Sequence, residues 1–173
     1  MPPVTRTLPD RGHTDAMAPV RIVIFHIVVH HLGWFRRFPA LVQAFDRYLD
    51  ALTAVTAPSV HREVQALTQE MAGWPGVTQS SHRFGGREFA YQTVELGHVH
   101  SNGIVDVRLT RAEHDQVLAQ GLAVAHHIVP TSTWVTFVIE RQGQAAAAAE
   151  LLAMPFERLR AGGTSDGSSE ENG

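Results

Sequence analysis

Two short runs of this chain concentrate side chains able to move protons or hold a cation. The first is Glu95-Leu-Gly-His98-Val-His100-Ser-Asn-Gly103-Ile-Val-Asp106, and the second is the pair His126-His127. Four of the eleven histidines fall in them. Imidazole is the side chain that most readily serves as acid, base or metal ligand near neutral pH. Along a strand, side chains alternate faces, so a His-x-His triplet presents both rings on one side of a sheet. The Ser-Asn-Gly turn then returns the chain and delivers Asp106 on the partner strand. Glu88, on the strand predicted just before, falls beside the same surface.

Three chemistries fit this pattern and stay open at this level. An acid–base site would draw on His98, His100, Asp106, His126, His127 and Glu88, and needs only a pocket and one imidazole tuned near the working pH. A divalent-metal site would take His98 and His100 as its first ligands, with a carboxylate and one member of the 126–127 pair completing the set. The third reading has no chemistry: the histidines simply hydrogen-bond within the sheet.

Composition removes several alternatives. All 14 basic residues among the 173 are arginine, which excludes Schiff-base chemistry and a lysine-bearing phosphate loop. There is no cysteine, so thiol nucleophiles, zinc–thiolate sites and disulfides are excluded as well. The net charge of −3 comes from Asp166, Glu170 and Glu171 at the end of the chain. A charge-neutral body argues against strong, nonspecific binding of nucleic acid as a partner. Ser132 near Trp134 lacks the context of a nucleophile elbow, and Trp134 reads as a core or pocket-wall aromatic.

The elements that must position these residues are helices first, then strands. Leu41, Phe45, Tyr48, Leu49, Leu52 and Val55 form a helical stripe opened by Pro39. Ser59 is expected to cap a second stripe of Val60, Val64, Leu67 and Met71, stopped at Gly73-Trp-Pro-Gly76. From Val77 the period becomes that of strands: 77–83 and 87–94 around Gly85-Gly86, then 96–100 and 104–109 around Asn102-Gly103. Arg83-Phe-Gly-Gly-Arg-Glu88 is a hairpin turn and not a phosphate loop, because a strand follows it where a helix is required. Thr110-Arg-Ala-Glu113 is a capping box that opens a helix ending at Gly121. Strands over 122–129 and 133–140 follow, then an alanine-rich helix over 144–159, expected to be strained or broken at Pro155.

The two ends read differently. Residues 1–19 and 161–173 lack apolar periodicity and are expected to be disordered, with Met17 an alternative start. Residues 20–57 form an apolar and helical segment, and 58–160 an α+β domain. Ile22–Val29, extended by Leu32, Trp34 and Phe35, is short of the about 20 apolar residues of a membrane span. Arg21 and Trp34-Phe-Arg-Arg37 flank it as interfacial anchors do, so 22–37 is either packed on the domain or in peripheral contact with a membrane. His26, His30 and His31 are polar punctuation on that segment. No secretory signal is evident, and a cytoplasmic protein is expected, membrane-associated if 22–37 makes the peripheral contact.

The run from Trp74 to the final helix resembles the luciferase-domain family, named for the luciferase of bioluminescent fungi. The matching residues are Trp74-Pro-Gly-Val77, His82-Arg-Phe-Gly-Gly-Arg-Glu-Phe89, Glu95-Leu-Gly-His-Val-His100, Gly103 with Asp106, Gly121, His126-His127, and Ser132 with Trp134. Thr133 stands where the family often has glycine, and His30–Pro39 looks like the leader of bacterial members. The resemblance implies an α+β fold with helices against an antiparallel sheet, similar to the YjbR-like double-wing proteins, with an N-terminal helical extension. It also implies an oxygenase (a monooxygenase-type oxidoreductase) acting on an enolisable aromatic or pyrone-like molecule without an organic cofactor. A histidine would be the base. A non-catalytic ligand-binding or membrane-peripheral module is the alternative.

Overall fold

The computed structural model describes residues 39–165 except position 127. The readings made for the N-terminal tail, the apolar run Ile22–Val29 with its anchors, His26, His30, His31 and His127 all lie outside the described residues. So does the stretch 166–173.

Helix α1 (Pro39–Thr56) and helix α2 (Pro58–Ala72) come first. Strands β1 (Val77–Ser81), β2 (Arg87–Tyr91), β3 (Val94–Val99) and β4 (Ile104–Arg108) follow as a meander. Then come α3 (Arg111–Ala119), β5 (Val124–Ala125), β6 (Trp134–Val138) and α4 (Ala145–Ser165). The six strands form one sheet in the order β1-β2-β3-β4-β6-β5, and every pairing is antiparallel. The architecture is α+β, as expected. Among the described residues no helix is long and apolar enough to cross a membrane.

One face of the sheet is dry. Phe89, Val99, Val105, Val107 and Val135 point from it into a core completed by Val60, Val64, Leu67 and Met71 of α2 and Ala148 and Leu152 of α4. Burying each large apolar side chain contributes about 1.5–3 kcal/mol, so this layer holds the strands in place beneath the site. The closest approach is at Gly97. A Cβ there would stand 2.4 Å from the Asp106 carbonyl oxygen and 2.7 Å from a Leu152 methyl, so only glycine lets α4 lie against β3 and β4.

Several sequence expectations need correction. The α2 N-cap is Ala57, with Pro58 in the first turn and no side-chain cap, so Ser59 does not cap it. Of the α1 stripe only Leu49 is buried, whereas Leu41, Tyr48 and Val55 are exposed. The last helix is not broken at Pro155; it runs through that residue and on to Ser165, into the stretch read as tail. The missing N–H removes one bond to Leu151 without ending the helix. The strand expected over 122–129 shrinks to Val124–Ala125, because His126 Nδ1 accepts the backbone N–H of Ile128 (3.2 Å) and Val129 (3.1 Å) and curls the chain off the ladder.

Candidate functional site

The other face of the sheet carries the chemistry. Ser80 pairs with Glu88, Glu88 with His98, His98 with Asp106, and Asp106 with Thr136, so one row of polar side chains crosses five strands. The Asn102-Gly103 turn sets this register. His100 N–H donates to Ile104 O at 2.8 Å, Gly103 N–H to His100 O at 3.0 Å, and Gly103 takes φ 94°, a left-handed conformation that favours glycine. His98 and His100 consequently share a side, with ring centroids 5.1 Å apart, as their spacing predicts.

Asp106 is the hub, and it is 1% exposed. Its Oδ2 lies 3.2 Å from His98 Nε2, 3.9 Å from His100 Nε2 and 3.7 Å from His126 Nε2. Its Oδ1 accepts the Thr136 hydroxyl at 2.5 Å. His98 Nδ1 lies 2.9 Å from Glu95 Oε1. Both ring nitrogens of His98 therefore face carboxylates and donate to them. Burial presses the His98 pKa down, but the hydrogen bonds to Asp106 and Glu95 outweigh it and hold the imidazole up at about 9. Burial of Glu95 works upward on its own carboxyl and is likewise outweighed by the bond to His98, which leaves the group below its ordinary range.

His82 stacks on His98 with centroids 3.8 Å apart and planes 12° from parallel. Burial, reinforced by the neighbouring charge of His98, lowers its pKa to about 4, so it is a neutral ring on a cationic one. Its Nδ1 is buried without a hydrogen-bond partner. Glu88, as expected, stands beside the cluster; burial and the Glu95 carboxylate raise its pKa. Trp134 walls the group, 5.3 Å from His98 and 6.2 Å from His126 between centroids. The structure thus brings together His98, His100, Asp106, His126 and Glu88.

Sequence reasoning missed Glu95, His82 and Thr136 as site residues. Glu95 lies three residues before His98 and on an ideal strand would face the core. A bulge intervenes: Phe89 pairs with Gly97 and Ala90 with Glu95, leaving Leu96 as the extra residue. Glu95 and His98 then share a face while Leu96 turns inward, fully buried. His82 sits just past β1 in a turn, where no periodicity assigns it a side. Thr136 was readable: it is two residues from Trp134 on the same strand face.

The histidine–carboxylate row falls mostly within a recognisable stretch. Residues 93–154 match the Luciferase domain family. The luciferase-domain resemblance read from the motifs is borne out over β3, β4, α3, β5, β6 and the first half of α4, which carry Glu95, His98, His100, Asp106 and His126. The His82–Phe89 motif lies before the matched residues. Among curated proteins and among solved structures, no match to this chain is found.

Proposed function

We propose that this luciferase domain is an oxygenase for an enolisable aromatic or pyrone-like small molecule, with an imidazole of the cluster as the proton acceptor. The observation that carries the reading is the convergence of His98, His100 and His126 on one buried oxygen of Asp106. Burying several ionisable groups carries a desolvation cost, and groups with displaced pKa values, as His82, Glu88, Glu95 and His98 have here, concentrate at functional sites. A cavity of about 210 Å³ between α1 and the β1–β2 turn reaches the cluster at His82.

The chemistry follows from the charges. A neutral imidazole takes the hydroxyl proton of the substrate, leaving an enolate. That electron-rich anion adds to dioxygen, whose O–O double bond becomes the single bond of a carbon-bound peroxide as it accepts two electrons, and the peroxide takes the proton back from the imidazolium. The cationic His98 would stabilise the negative charge as it develops. The carboxylate bonds on both nitrogens of His98 count against it as the base and favour His82, whose Nδ1 is without a partner, or His100. Oxygen uptake by the full chain should be measured over a panel of hydroxypyrones and enolic aromatics. Turnover of at least one of them, cut about 100-fold or more in His82→Gln or His100→Gln at unchanged circular dichroism, supports the reading. No uptake with any panel member, or full activity in both variants, overturns it.

A further inference from the structure

We propose that His98, His100 and Asp106 form a binding site for a first-row divalent metal ion of the iron(II), cobalt(II) or zinc(II) class. Two imidazoles and one carboxylate on one side of an ion leave the opposite positions open, the ligand set typical of iron(II) oxygenases. A tetrahedral site with bonds of about 2.1 Å spaces its ligand atoms about 3.4 Å apart. His98 Nε2 and Asp106 Oδ2 stand 3.2 Å apart, already at that spacing, and an ion bound there displaces the proton that the two share in its absence. His100 Nε2, at 3.9 Å from the same oxygen, has about 0.5 Å to close to reach it.

The surroundings of the three residues point the same way. A metal-binding imidazole commonly gives its other N–H to a carboxylate, which orients the ring and raises its basicity. Glu95 does this for His98, at 2.9 Å from Nδ1. Thr136 bonds Asp106 Oδ1, so it is Oδ2 that the carboxylate turns toward the imidazoles.

The neighbouring histidines are distinguished from ligands by geometry. His82, His98 and His100 offer nitrogens within 4.8 Å of one another, but the rings of His82 and His98 are stacked. The in-plane lone pairs of stacked rings run parallel and do not meet at one ion. His126 Nδ1 accepts two backbone N–H groups, so in the neutral ring the proton sits on Nε2, which then donates instead of ligating. His126 is left as a hydrogen-bond donor beside the ion.

A cation here would supply Lewis-acid stabilisation of an enolate oxygen, but binding it does not depend on the oxygenase reading. Titration of the full chain with cobalt(II) alone tests the site. One equivalent should bind, about 30-fold or more weaker in His100→Gln and Asp106→Asn, and about 10- to 100-fold weaker in the positioning variant Glu95→Gln. His126→Gln should stay within about threefold of wild type. Should the ligand variants fail to fold, proton NMR of the cobalt-loaded wild-type chain decides: two exchangeable imidazole N–H signals shifted by the ion support the site, and none overturns it. Absence of saturable uptake, or uptake unchanged in both His100→Gln and Asp106→Asn, also overturns it. Metal uptake without oxygen turnover would refute the oxygenase and leave the metal site standing.

Discussion

Replacing Gly97 with alanine adds one methyl group at the point where the sheet and α4 come closest. That methyl carbon would lie 2.4 Å from the Asp106 carbonyl oxygen, 2.7 Å from Leu152 Cδ2 and 3.2 Å from Val107 Cα. The Leu152 contact is with the end of a side chain that can rotate. The other two are with the backbone of β4, which is paired on both edges by β3 and β6 and has little room to yield. Overpacking a tight core costs about 1–3 kcal/mol, and a clash with central backbone belongs at the upper end. About 3 kcal/mol corresponds to a fall of about 6–12 °C in Tm for a chain of this size. Urea unfolding of wild type, Gly97→Ala, Leu152→Ala and the double variant measures it. Because the limiting contacts are with backbone, Leu152→Ala should not rescue Gly97→Ala. A Gly97→Ala cost below about 1 kcal/mol, or near-complete rescue in the double variant, would refute the reasoning.

Two further predictions concern stability. Thr136→Val preserves shape but removes the hydroxyl bonded to Asp106 Oδ1, and should cost about 1–3 kcal/mol by urea unfolding because a buried carboxylate loses a donor. A cost near zero would mean that the bond does not hold the hub. At Glu113, burial raises the carboxyl pKa, but the hydrogen bonds from Thr110 and Arg158 outweigh it and leave the group below its ordinary value. A lowered folded-state pKa gives stability that is present above the ordinary value and is lost as pH falls through the folded one. Glu113→Gln should therefore narrow the gap between neutral and acid stability, by about 1 kcal/mol or less for a partly exposed group; an unchanged acid limb in thermal melts would contradict this.

Much of this arrangement is legible in the amino-acid sequence. Period-two spacing and the Asn-Gly turn suffice to bring His98, His100 and Asp106 together, since both are local signals. The α2 stripe and the Thr110–Glu113 capping box are equally plain. What escapes depends on non-local or irregular geometry. Glu95 joins His98 only through the Leu96 bulge, which is a matter of pairing with β2 and not of spacing. His82 joins through a turn whose conformation periodicity does not describe. The curtailed β5 reflects side chain competing with ladder, where His126 captures the amides that a strand would have used. Pro155 shows the reverse case, a local helix breaker overridden by the packing of a helix whose buried residues include Leu151, Leu152 and Phe156.

The Leu96 bulge also changes how related sequences should be compared with this one. Glu95 reaches the face of His98 because β3 spends one more residue than β2 between the pairs Ala90–Glu95 and Phe89–Gly97. A relative lacking the residue at Leu96 would have Glu-x-His in plain alternation, with the acid still beside the ring. A relative with one more residue between Phe89 and Ala90 would keep Glu-x-x-His letter for letter. Its two strands would match residue for residue, and the acid would turn toward the core, away from the histidine that it orients here. The altered motif would preserve the wiring, and the intact one would lose it. An alignment of such relatives therefore has to treat the β2–β3 hairpin as one unit, because the meaning of the Glu–His interval is set by the length of the strand opposite.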